Sequence, residues 1–191
     1  LYLAQNFAWR QYRTACDYMA MLSKVENSYI EMQKKPVLYG ITRMTQMEEF
    51  VKRTRAQFLA ALFNTKVVHN DDETGQVVDD YYYVSMQSIE NADYFLDFPE
   101  NKFQVILLWW QGLMNYLSKE YPKVFKKEKV GKSSDEDVFK LYTRSTTTMI
   151  KYAQSNEETV NKTTYTIILQ HINDMAEENE SIEKIKRKNT K

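Results

Sequence analysis

The strongest constraint on this chain is an apolar stripe near its start. Leu1, Ala4, Ala8, Gln11, Ala15, Tyr18, Leu22, Val25, Tyr29 and Met32 follow a strict heptad, and only Gln11 breaks its apolar character. Residues spaced alternately three and four apart fall on one side of an α-helix, and such a stripe has to be covered along its whole length. A second set, Leu3, Phe7, Trp9, Tyr12, Cys16 and Met19, widens the apolar surface in the first half. Lys34, Lys35 and Pro36 close the segment, with cations where the helix dipole favours them and a residue that cannot continue the ladder. No capping residue precedes Leu1, so the helix is expected to continue upstream of it.

Further helices follow from the same periodicity. Thr45 with Glu48 has the spacing of a capping box, opening a helix with Met47, Val51, Thr54, Phe58 and Ala61 or Leu62 on one face. Residues 88–98 fit a short helix, and Pro99 stands where a longer one begins. That longer helix carries Phe103, Ile106, Leu107, Trp110, Leu113, Met114 and Leu117, the most hydrophobic stretch of the chain. Ser134 with Asp137 caps a helix through Val138, Leu141, Tyr142, Met149 and Ile150. Ser155 with Glu158 opens a last one through Val160, Thr164, Ile168, Ile172 and Met175. One segment reads differently. Lys66–His69 and Gln76–Val84 are β-branched and aromatic, and the residues between them, 70–75, are turn formers.

The expected fold is therefore mainly α, a bundle of about five helices with a small β-hairpin or protruding loop inserted near 66–84. With 4 glycines and 3 prolines the chain is poor in tight turns, which excludes many-stranded β architectures. Neither a repeat nor a linker composition interrupts it, so residues 1–191 are expected to form a single helical domain with a frayed, charged tail over 179–191. Leu22, Val25, Phe58, Ile106, Trp110, Leu113, Ile150 and Ile168 are the expected core.

Charge is balanced overall but unevenly placed. Residues 66–101 hold nine acids against Lys66 alone, and the flanking segments are basic. A neutral chain lacks the dominant cationic field of generic nucleic-acid binders. The acidic middle is expected to face the basic flanks, within one chain or between copies. Cys16 is the single cysteine, which rules out an intramolecular disulfide framework. The longest apolar run, Val105–Trp110, is far short of the roughly 20 residues a membrane span needs. An intracellular setting, cytoplasmic or inside an assembled particle, is expected. The sequon at Asn161 matters only on a secretory route.

No arrangement of catalytic type stands out, and neither a cofactor nor a metal site is expected. Gly131-Lys132-Ser133 echoes the end of a phosphate-binding loop, but Lys126 stands where the first glycine belongs. Asn70–Tyr81 superficially resembles a calcium loop, yet Tyr81 occupies the position of the bidentate carboxylate. His69 and His171 have no ligand partners at metal spacing, and Cys16 lies inside the first helix among apolar neighbours.

What remains points to contacts with other macromolecules. Leu3, Phe7, Trp9 and Tyr12 form a second apolar face on the first helix, and Trp109 stands beside the core stripe of its own helix. These five are the expected anchors of a protein interface. Lys123, Lys126, Lys127, Lys129 and Lys132 form a basic patch able to contact phosphate. The reading that follows is a non-catalytic structural or adaptor subunit that joins other protein chains, as a homo-oligomer or in a larger assembly. The Lys-, Asn- and Tyr-rich, Gly-poor composition suits an AT-rich genome, hence a viral or bacteriophage assembly. The alternative is a nucleic-acid-associated accessory protein using the 123–132 loop, and the third is an enzyme of unfamiliar design.

Overall fold

A computed structural model describes residues 7–63, 67–70, 77–80, 91–125, 147, 149–151 and 156–189. Among them the chain is mainly α. Its elements are α1 (Trp9–Lys34), α2 (Pro36–Leu62), strands β1 (Val67–Asn70) and β2 (Val77–Asp80), a 3-10 helix (Ala92–Phe95), α3 (Glu100–Glu120), α4 (Glu157–Lys162) and α5 (Tyr165–Asn189). The chain divides into two compact units, Arg10–Lys102 and Leu1–Trp9 with Phe103–Lys191. Both divisions fall inside helices, α1 and α3, where no linker composition marks them.

In the Arg10–Lys102 unit the heptad of α1 is a core stripe. Ala15, Leu22, Val25 and Met32 are buried. Gln11, its one polar member, is buried as well, and its Nε2 donates to the carbonyls of Ala61 (3.1 Å) and Leu62 (3.4 Å). Those carbonyls belong to the last turn of α2, where no further helical N–H is available to them. The residue that interrupts the stripe therefore closes the end of the next helix.

Helix α1 ends at Lys34, and α2 starts two residues later with Pro36 in its first turn. The capping box at Thr45 is not formed, because by then the helix is already running. The Thr45 hydroxyl bonds back to the carbonyl of Ile41 at 3.2 Å, as a threonine inside a helix does. The actual irregularity is at Gly40, with φ 69° and ψ 159°. Past it, α2 buries Val51, Thr54, Ala56 and the run Phe58–Leu62. Ala56 and Ala60 present only methyl groups, which lets Ala92 of the 3-10 helix approach closely, with Phe95 and Leu96 packed around the contact. Phe63 stacks on Phe95 at 6.1 Å between ring centroids.

Acidic residues of the middle segment meet basic residues of α2 within this unit. Lys52 pairs with Asp97 at 2.7 Å, and Arg55 with both Glu26 (2.8 Å) and Glu100 (2.5 Å). β1 and β2 run antiparallel, with Val67 opposite Asp80 and Asn70 opposite Val77.

In the other unit, Phe7 and Ala8 do not continue the helix upstream as the heptad suggested. Ala8 forms an antiparallel bridge with Thr164, the N–H of Tyr165 donates to the Phe7 carbonyl (2.9 Å), and that of Trp9 donates to Thr163 (2.7 Å). This pairing also splits the last predicted helix in two. Thr163 is extended (φ −67°, ψ 143°), ending α4, and α5 starts afresh at Tyr165. β-Branched threonines favour that extended geometry. Asn156 caps α4, its Oδ1 accepting the Thr159 N–H at 2.8 Å. Ser155, the expected cap, lies outside the described residues. Phe103, Trp110, Leu113 and Leu117 of α3 are buried, as are Met149, Val160, Tyr165, Ile168 and Leu169. Of the expected core residues, Ile106 and Ile150 are only half-buried. Helix α5 continues to Asn189, through the segment expected to fray. No helix among the described residues is long and apolar enough to cross a membrane.

Candidate functional site

The most exposed aliphatic side chains among the described residues stand together at the start of α2. Val37 is 97% exposed, Ile41 86% and Leu38 74%. Their position follows from local backbone chemistry. Pro36 sets the first turn, and Gly40 then takes a positive φ that side-chain-bearing residues rarely adopt. A Cβ on Gly40 would meet nothing within 4 Å, so conformation and not space demands glycine here. The kink separates the first turn from the rest of α2 and leaves Val37, Leu38 and Ile41 in water.

A groove of about 460 Å³ runs beside them, lined by Asn27, Ser28, Glu31, Met32, Tyr39, Arg43 and Met47. Its apolar part is Met32 and Met47, side chains that adapt to irregular surfaces. The Arg43 guanidinium lies over the Tyr39 ring, 5.6 Å from its centroid, a pairing common at protein interfaces. The one carboxylate in the groove is Glu31. Its hydrogen bond from Lys34, at 2.6 Å, and the ammonium charge hold its carboxyl below the usual range. A general acid near neutral pH needs the opposite shift. The groove offers shape, sulfur and aromatic contacts, and a cation.

The interface expected on α1 is corrected by the structure. Phe7 (6% exposed), Trp9 (1%) and Tyr12 (1%) are buried inside the chain, so they cannot anchor a partner on its surface. Trp109 is half-buried, and Phe7 meets it edge-on at 6.4 Å between centroids and contacts Tyr165 at 6.2 Å. Leu3 lies outside the described residues. In the basic patch, the Lys123 ammonium is paired with Glu180 (2.5 Å) and the Lys123 backbone N–H donates to Asn173 Oδ1 (3.0 Å). Those bonds serve the fold and remove one cation from the phosphate reading. Lys126, Lys127, Lys129 and Lys132 lie outside the described residues, as do Gly131–Ser133 and the 71–76 turn. His171 is exposed on α5 and Cys16 half-buried on α1. Among the described residues no cluster of three or more His, Cys, Asp or Glu side chains is placed to hold a metal.

Sequence periodicity passes over Val37, Leu38 and Ile41 because they belong to no stripe. The available signal is a run of four apolar residues and a glycine, Val37–Ile41, bounded by Pro36 between two helical patterns. No family model, curated protein or solved structure matches this chain.

Proposed function

We propose that this chain is a non-catalytic structural or adaptor subunit, a bundle of about five helices with 66–84 projecting as a β-hairpin, that works by binding other protein chains. Its setting is an intracellular assembly of viral or bacteriophage type. The observation that carries the reading is the group Val37, Leu38 and Ile41 beside the Met32–Met47 groove. Burying a branched aliphatic side chain is worth roughly 1.5–3 kcal/mol, and here three adjacent ones stay in water. Clustered exposure of this kind, next to a groove with an arginine and a tyrosine on its rim, is the composition of a protein-binding surface.

The test is the triple variant Val37→Ser/Leu38→Ser/Ile41→Ser in the full chain. It is expected to keep the parent's circular dichroism and melting temperature, because these side chains support nothing in the fold. Co-purified partners held by the parent should be lost, as read by light scattering and mass spectrometry of the eluted complex. A variant that keeps every partner sinks the reading. So does one that melts well below the parent, since the group would then belong to the core.

A further inference from the structure

We propose that the C-terminal part of α5 pairs antiparallel with the same segment of a second copy of this chain. Helix α5 begins among buried residues, Tyr165, Ile168, Leu169 and Asn173. From Ser181 to Arg187 every side chain is exposed, including Ile182 (44%) and Ile185 (59%). At 3.6 residues per turn the two isoleucines share a face with Glu178, one turn before. That face is opposite the one carrying Leu169, Asn173 and Glu180. The inner face is tied down, since Asn173 and Glu180 both hold Lys123. The isoleucines are on the side that this tie leaves outward.

Charge identifies the occupant and its direction. Residues 174–183 contain five acids (Asp174, Glu177, Glu178, Glu180, Glu183) and no base. Residues 184–191 contain five bases (Lys184, Lys186, Arg187, Lys188, Lys191) and no acid. The sign changes between Glu183 and Lys184, midway between Ile182 and Ile185. A two-fold axis at that point lays the acidic half of one copy along the basic half of the other. The four isoleucines then meet at the centre. A parallel arrangement would set acid against acid, so only one orientation is favourable. Such an interface uses the same patch on both copies and closes at the dimer.

The helix dipole and the Glu183–Arg187 pair at 3.4 Å account for acids preceding bases. They do not account for two isoleucines held in water at the crossover. A helix pair of about three turns per copy buries much less than the ~1,600 Å² of a standard interface. The dimer is therefore weak, dependent on concentration, and weakened by salt beyond the ~8 Å screening length of physiological solution. The inference involves none of Val37, Leu38 and Ile41, so the two surfaces fail independently.

Sedimentation of the full chain over a concentration series, at low and high salt, tests the proposal. The parent should show a monomer–dimer equilibrium that salt shifts toward monomer. Ile182→Asp/Ile185→Asp should remain monomeric with unchanged circular dichroism, and should still bind whatever docks at the start of α2. Glu178→Lys/Glu183→Lys and Lys184→Glu/Lys186→Glu should each weaken self-association by roughly tenfold or more. Mixed in equal amounts, those two variants should recover a heterodimer of parental strength. A parent that stays monomeric throughout overturns the proposal, as does a dimer that survives the isoleucine variant. Charge variants that stay apart when mixed also overturn it.

Discussion

From Val51 to Leu62, α2 buries eight side chains, four of them alanine or threonine. From Pro36 to Met47 the same helix buries none, although it carries Val37, Leu38 and Ile41. Val37 and Leu38 are in water, while Val51, Leu59 and Leu62, of the same residue types, are in the core. What differs is the surface opposite. The C-terminal half faces the 3-10 helix and the Gln11 amide, and alanine is favoured there because a close approach needs small side chains. The N-terminal half, turned by Gly40, faces solvent. Hydrophobicity supplies a tendency to be covered, and the chain covers only one end.

The largest expected effect attacks this contrast directly. Phe58→Ala should destabilise the protein by about 3–5 kcal/mol, through lost burial and the cavity left behind. Leu38→Ala, of the same type in the exposed half, should stay within about 0.5 kcal/mol. Urea midpoints decide it, and equal shifts would end the distinction between the two halves.

A smaller effect carries the contrast between buried and exposed groups to a titrating side chain. Burial of Tyr165, with the phenols of Tyr121 and Tyr116 nearby, pushes its pKa up to about 12. The folded state thus keeps a proton that the unfolded chain releases from about pH 10 upward. Stability is full below pH 10 and falls as pH rises through 10 to 12, by at most about 2–3 kcal/mol. Tyr165→Phe should flatten that part of the pH–stability curve. An unchanged slope would show that this ring is accessible in the folded protein.

The smallest of the three sharpens the account of why the C-terminal half of α2 is held. Gln11→Leu keeps the shape of the side chain and removes the donor to Ala61 and Leu62. It should cost about 1–2 kcal/mol and speed amide exchange in the last turn of α2. A neutral or stabilising outcome would mean that Gln11 is only an interruption in an apolar stripe.

Much of this architecture is legible along the chain. The α1 heptad marks five of the residues buried on that helix, Gln11, Ala15, Leu22, Val25 and Met32, and Lys34–Pro36 marks its end. Phe103, Trp110, Leu113 and Leu117 keep core spacing and are core. The candidate site was harder to see. Val37, Leu38 and Ile41 lie in a short run with no period, and the Thr45–Glu48 pair points to a helix start ten residues too late. Phe7, Trp9 and Tyr12 look like surface anchors because a pattern shows that a face is apolar without showing which part of the chain lies over it.

By itself, then, the sequence determined the helical class, the faces that have to be covered and the order of charges along α5. Those are properties of residues close together in the chain. The tertiary structure alone decided that Phe7 and Ala8 pair with Thr163–Tyr165 ahead of α1, that Thr163 divides two helices, and that Gln11 closes α2. Each depends on a hydrogen bond to a group about 50 to 160 residues away. Local propensity carries no information about such a partner, and an unpaired buried backbone group is costly enough to override it.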